Sequence, residues 1–245
     1  MPTVNRFQAA SLGAFFIFCT VALGSPETEA GQALAAELRQ QRPSEGSTNL
    51  ARLRLIDPDG RRRSVPVTIT TRVDDAQWTV RYEAIRTPDG AGETVTIVYR
   101  DHLAPVYEVA QAGKAPARLT GGAAFTSFAG SDFWFADLGR EFLHWPDQRI
   151  VGREPHSGRM CGKLESVNPS TNGYARVISW VDAEYNGLLG AEAYDTQGRL
   201  VKRFATGSIQ RHGEGYMLKD VKIRDARKDS LTELEFEQPP RPTNP

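Results

Sequence analysis

Several side chains in this sequence belong to types that do chemistry. His144, His156 and Cys161 are metal-ligand types, because imidazole and thiolate are good zinc donors. Their spacing matches no standard zinc site, and Cys161 opens an apolar strand, where a thiol is ordinarily buried and inert. Asp132, Asp137 and Glu141 are carboxylates of the kind that pair for acid–base work. Such a pair must share a pocket that drives the two pKa values apart. Nothing in the sequence brings any two of them together, and the dipole of an expected helix plus solvation accounts for all three. There is no G-x-S-x-G turn, no H-E-x-x-H, no glycine-rich phosphate loop and no paired-cysteine spacing. The expectation is therefore a non-enzyme with no catalytic residue, no metal and no cofactor. A secreted hydrolase would need a nucleophile hydrogen-bonded to His102, His156 or His212.

What the chain concentrates instead is aromatic surface. The run from Phe125 to Trp145 holds Phe128, Phe133, Trp134, Phe135, Phe142 and Trp145 between long stretches of strand-like sequence. Ser131 suits a helix N-cap and Asp132 the positive end of the helix dipole. Beyond them Trp134, Leu138, Phe142 and Trp145 follow at helical spacing, which predicts one apolar stripe on one helix. That stripe is either the plug of a hydrophobic core or one wall of a cavity for an apolar ligand.

The elements around it are mostly strands. From Leu50 the hydrophobic period is 2: Ala51, Leu53 and Leu55, then Val65, Val67 and Ile69, then Trp78, Val80 and Tyr82, then Val95, Ile97 and Tyr99. Turns such as Asp57-Pro58-Asp59-Gly60 and Asp195-Thr196-Gln197-Gly198 separate them, and the pattern resumes after the aromatic segment through Leu231 to Glu237. The strand from Tyr174 to Val181, which carries Trp180, is apolar on both faces and so belongs inside a sheet. Ser25-Pro26-Glu27 starts an amphipathic helix whose face is Ala30, Leu34 and Leu38 and which stops at Pro43. An antiparallel sheet of this many strands curls around something as its twist accumulates.

The ends are atypical. Residues 1–24 read as a secretory signal peptide, with Arg6 ahead of an apolar run from Ala9 to Leu23; an uncleaved membrane anchor is the alternative. Residues 25–238 read as a single domain and 239–245 as a disordered tail. The 245-residue chain has a formal charge of 0, and loss of Arg6 with the leader makes it −1. Such a balance leaves no electrostatic footprint for nucleic acid.

The segment Gly130-Ser131-Asp132-Phe133, continued by Asp137-Leu138, resembles a signature of the outer-membrane lipoprotein-sorting proteins, the LolA-like carrier superfamily. Trp180-Val181-Asp182, Ala191-Glu192-Ala193-Tyr194-Asp195 and the closing strand from Thr232 to Phe236 are similar to further stretches of that family. The resemblance implies a mainly β fold: a strongly curved antiparallel sheet, or half-open β-barrel, with short helices across its concave mouth. It also implies a periplasmic carrier that holds lipid or lipoprotein acyl chains in an apolar cavity, with transient membrane contact at delivery. The aromatic stripe and Trp180 make the expected wall or lid Phe128, Phe133, Trp134, Leu138, Phe142, Trp145 and Trp180. The alternative is an envelope interaction module that binds other envelope proteins and keeps the fold without transport.

Overall fold

The computed structural model describes residues 25–86, 90–207, 209–212 and 215–237; the expected leader and tail lie outside them. The amino-terminal half runs through α1 (Pro26–Arg39), β1 (Ser47–Ile56), β2 (Arg62–Val73), β3 (Gln77–Ala84), β4 (Glu93–Arg100), β5 (Val106–Gln111) and β6 (Ala117–Arg118). An irregular crossing follows, holding a short α2 (Phe135–Leu138) between two 3-10 turns. Next come β7 (Asp147–His156), β8 (Arg159–Val167), β9 (Arg176–Asp182), β10 (Leu188–Tyr194) and β11 (Leu200–Thr206). The chain ends with β12 (Ile209–His212), β13 (Gly215–Leu218), β14 (Asp220–Asp225) and β15 (Ser230–Phe236).

Thirteen of these strands form one open antiparallel sheet in the order β6-β5-β4-β3-β2-β1-β15-β14-β11-β10-β9-β8-β7, while β12 and β13 make a separate hairpin. Two meanders meet where the first strand pairs with the last, Leu53 opposite Leu234. The consequence is topological. Strands β6 and β7 are neighbours in sequence yet occupy opposite edges of the sheet, so the chain between them must cross it. This crossing is the aromatic segment.

Period-2 alternation decides what the crossing meets. Ala51, Leu53 and Leu55 of β1, Val65, Val67 and Ile69 of β2, and Val95 and Ile97 of β4 are buried inward. The intervening Arg52 and Arg54 face outward and pair with Glu237 and Glu235. Exposed pairs of that kind contribute at most about 1 kcal/mol. Burying the inward side chains, at roughly 25 cal/mol per Å² of apolar surface, is what holds the layers together.

Helix α1 begins as its sequence requires, with the Ser25 hydroxyl accepting from the Thr28 amide at 3.4 Å. Its buried face is Gly31, Ala35 and Leu38 rather than Ala30, Leu34 and Leu38. The reason is Gly31, where a Cβ would collide with the backbone of Gln148 and Arg149; a glycine lets the helix lie directly on β7. Beyond the helix, Arg42 donates to the carbonyls of Asp74 and Asp75 in the β2–β3 turn, and Gln41 donates to the carbonyl of Asn186 in the β9–β10 turn. The helix and the turn after it therefore tie the two meanders together.

Gly31→Ala tests that packing, because in a free helix the change stabilises by about 1 kcal/mol. Here overpacking is expected to reverse the sign and cost about 1–3 kcal/mol in urea unfolding. A stabilised Gly31→Ala protein would mean that α1 does not rest on β7.

Candidate functional site

The crossing is not the single helix that the Trp134, Leu138, Phe142 and Trp145 spacing predicts. It opens as a tight loop, with Phe128 N–H donating to the Phe133 carbonyl at 2.8 Å and positive φ at Ala129 and Gly130. Ser131 closes that loop instead of capping a helix: its hydroxyl donates to the Phe128 carbonyl at 2.6 Å and accepts from Phe133 N–H at 3.2 Å. Helix α2 then lasts only from Phe135 to Leu138. Arg140, at φ 50°, takes the left-handed conformation and turns the chain before the second 3-10 turn, Glu141–His144. A non-glycine residue in that region ends a right-handed helix.

Three strands bolt the crossing to the sheet. Ala129 N–H donates to Glu93 on β4 at 2.6 Å. The Asp132 carboxylate accepts from Ser230 at 2.6 Å and Thr232 at 2.9 Å, both on β15. Lys202 on β11 is wholly buried; its Nζ donates to Asp137 Oδ2 at 2.9 Å and to the Asp132 carbonyl at 2.6 Å. Asp137 also accepts from the Tyr174 hydroxyl at 2.9 Å and from Trp134 N–H at 2.8 Å. Above the ammonium lies the Trp134 ring, its centroid 3.6 Å away, stacked in turn on Tyr174.

Asp132 and Asp137 are thus buried anchors, not solvated groups at a helix dipole. Burial pushes the Lys202 ammonium below the ordinary lysine range against the pull of Asp137, and pushes the Tyr174 phenol well above its ordinary value. Burial also holds the Glu141 carboxyl above the usual range.

Between the crossing and the sheet lies a cavity of about 400 Å³. From the crossing it is lined by Phe133, Leu138, Phe142, Asp137 and Arg140. From the sheet it is lined by Val80 and Tyr82 of β3, Tyr99 of β4, Ala191 of β10, Phe204 of β11, Val221 of β14, and Leu234 and Phe236 of β15. The residues expected to form a wall therefore divide. Phe133, Leu138 and Phe142 face the cavity. Phe128 is fully buried in the core between Tyr82 and Phe135. Trp134 covers Lys202, and Trp145 packs in the cluster that holds Ala35 and Leu38 of α1.

Trp180 lies on the other face of the sheet, away from the cavity. It packs with Cys161 and Ile178, stacks on His156 at 4.7 Å, and donates from Nε1 to Glu154 at 2.7 Å. Its neighbours Val177 and Val181 are the inward residues of β9. Cys161 is fully buried, and among the described residues no three His, Cys, Asp or Glu side chains are grouped to hold a metal ion. Lys202, Arg140 and the cavity-facing strand residues escaped the sequence reading; inward position on a period-2 strand is the one signal that could have found most of them.

A family model described as "-like: Uncharacterized protein" matches residues 110–241, just over half of the chain. No curated protein matches the sequence. Among solved structures, a DUF1329 family protein from Desulfovibrio piger is similar at 21% identity and TM-score 0.71, over 86% of this chain and 92% of that one. An outer membrane lipoprotein-sorting protein domain from Vibrio parahaemolyticus is similar at 15% identity and TM-score 0.72, over the same 86% and 92%. A LolA superfamily protein from Nitrosomonas europaea matches at 16% identity and TM-score 0.60, again over 86% and 92%. The fold is LolA-like: mainly β, an open antiparallel sheet with few short helices.

Lys202→Met leaves the Asp137 carboxylate buried without its cation, which is expected to cost about 3–5 kcal/mol in urea unfolding, with partial recovery in Lys202→Met/Asp137→Asn. An unchanged single variant would show the pair to be solvated. Burial, with Arg39 and Arg140 nearby, lowers the His144 pKa to about 4 from an ordinary 6.5. The unfolded chain binds that proton first, so His144 stability is full above about pH 6.5 and is lost as pH falls toward 4. His144→Gln is expected to flatten the fall in unfolding free energy across that window; an unaltered slope would refute the assignment.

Proposed function

Because the chain belongs to the family of uncharacterized proteins matched over residues 110–241 and has the LolA-like fold, we propose that it is an exported carrier that holds lipid or lipoprotein acyl chains in its cavity. The observation that carries this reading is the cavity itself. At about 400 Å³ it lies within the range of small-molecule sites, and most of its lining is apolar. Each methylene withdrawn from water is worth about 0.8 kcal/mol, so an acyl chain gains enough from such a lining to be moved between membranes without a covalent step. The work is shielding, and no reactive group is needed for it.

Residues 1–24 supply the address in this reading: a cleaved signal delivers the carrier to the periplasm, where lipoproteins bound for the outer membrane must cross water. No helix among the described residues is long and apolar enough to cross a membrane. Contact with a bilayer is transient, at loading and at delivery.

The test is saturable uptake of the fluorescent apolar probe N-phenyl-1-naphthylamine by protein lacking residues 1–24, with organic extraction of the purified protein to recover co-purified lipid. Leu138→Trp fills the cavity from the crossing and is expected to weaken probe binding about tenfold, equivalent to about 1.4 kcal/mol, while circular dichroism stays unchanged. Absence of both uptake and extractable lipid would leave an envelope interaction module as the surviving account.

A further inference from the structure

The cavity is lined mostly by apolar residues, and Gln41, Tyr82, Tyr99, Asp137, Arg140 and Thr206 are the polar ones. Arg140 lines it, and none of its side-chain nitrogens makes an ion pair or hydrogen bond among the described residues, although Arg39, Arg42, Arg149 and Arg176 all find partners. Asp137, the other charged lining residue, is already occupied by Lys202, Tyr174 and the Trp134 amide. Glu141 follows Arg140 in the chain but makes no ion pair with it; burial raises the Glu141 pKa.

Two phenols share the same space. Tyr82 and Tyr99 line the cavity, and neither hydroxyl has a hydrogen-bond partner among the described residues. Tyr99 is 8% exposed, its ring stacked on Trp78 at 4.9 Å. The positive charge of Arg140 is felt at both phenols, pulling their pKa values back against the upward push of burial. A cation and two hydroxyl donors without a protein acceptor among the described residues, open to the space of the cavity, are free to bond a ligand placed there. A ligand that brings an anionic acceptor answers all three, since charge-assisted hydrogen bonds are about twice as strong as neutral ones.

We infer that the cavity selects amphiphiles with an oxyanion head, a carboxylate or a phosphate, and that Arg140, Tyr82 and Tyr99 receive that head while the tail lies along Leu138, Phe204 and Leu234. This inference rests on the carrier reading and narrows it, because an uncharged lipid would leave all three donors unanswered.

The experiment measures displacement of N-phenyl-1-naphthylamine by three ligands with the same eighteen-carbon tail: oleate, oleoyl lysophosphatidate and oleyl alcohol. Wild-type protein is expected to prefer at least one anion over the alcohol by about tenfold, or about 1.4 kcal/mol. The better anion identifies the head as carboxylate or phosphate. Arg140→Gln is expected to abolish the preference, and Arg140→Lys to retain part of it. Equal binding of anions and alcohol by the wild type, or a preference that survives in Arg140→Gln, would overturn the inference and leave the carrier standing. Failure of all three ligands to displace the probe, or of the probe to bind, would overturn both.

Discussion

A chain that pairs its first strand with its last and places two consecutive strands at opposite edges has one unavoidable obligation: the segment joining those edges must traverse the sheet. Everything distinctive about this protein follows from how the traverse is pinned. Lys202 reaches up from β11 and meets Asp137 on the crossing, and both side chains are buried. Desolvating both charges is expensive, and the pair is tolerable because the remaining bonds are also made, by Tyr174, by the Trp134 amide and by the Asp132 carbonyl. Such an arrangement adds little net stability but accepts only one position of the crossing relative to the sheet.

That fixed position leaves space. The aromatic residues of the crossing sort into those that fill the core, Phe128 and Phe135, and those that look onto a gap, Phe133, Leu138 and Phe142. The residues after helix α1 reach the cavity through Gln41 and Pro43 and are bonded to turns in both meanders. A sheet that bends around a pinned traverse makes a chamber from parts that each have an ordinary structural reason to be there. In the proposed reading, function resides in what was left unfilled and in Arg140, which lines that space and has no ion-pair partner among the described residues.

Much of this was legible in the sequence, and the limits have physical causes. Period-2 patterns located the strands, and the Ser25-Pro26 start located α1, because both depend on local geometry. The resemblance carried by Gly130 to Leu138 led to the fold. A continuous helix through Trp134 and Trp145 failed because Arg140 adopts a conformation that spacing cannot reveal. Trp180 was misplaced because β9 is apolar on both faces, so alternation could not say which side was inward. Lys202 sits in Val201-Lys202-Arg203, a pattern that reads as a solvated strand face; only the tertiary meeting with Asp137 makes its burial tolerable. The cavity depends on residues from seven strands, the crossing and the segment after α1, a coincidence that no single window contains.

The central claim is that an acyl chain lies between the crossing and the sheet. Its most direct test is nuclear magnetic resonance of methyl-labelled protein titrated with a stearate carrying a nitroxide near the end of its tail. The account predicts saturable broadening of the Leu138, Val221 and Leu234 methyl signals, with Ile178 on the opposite face of the sheet unaffected. Broadening confined to the outer face, or none that saturates, would contradict it.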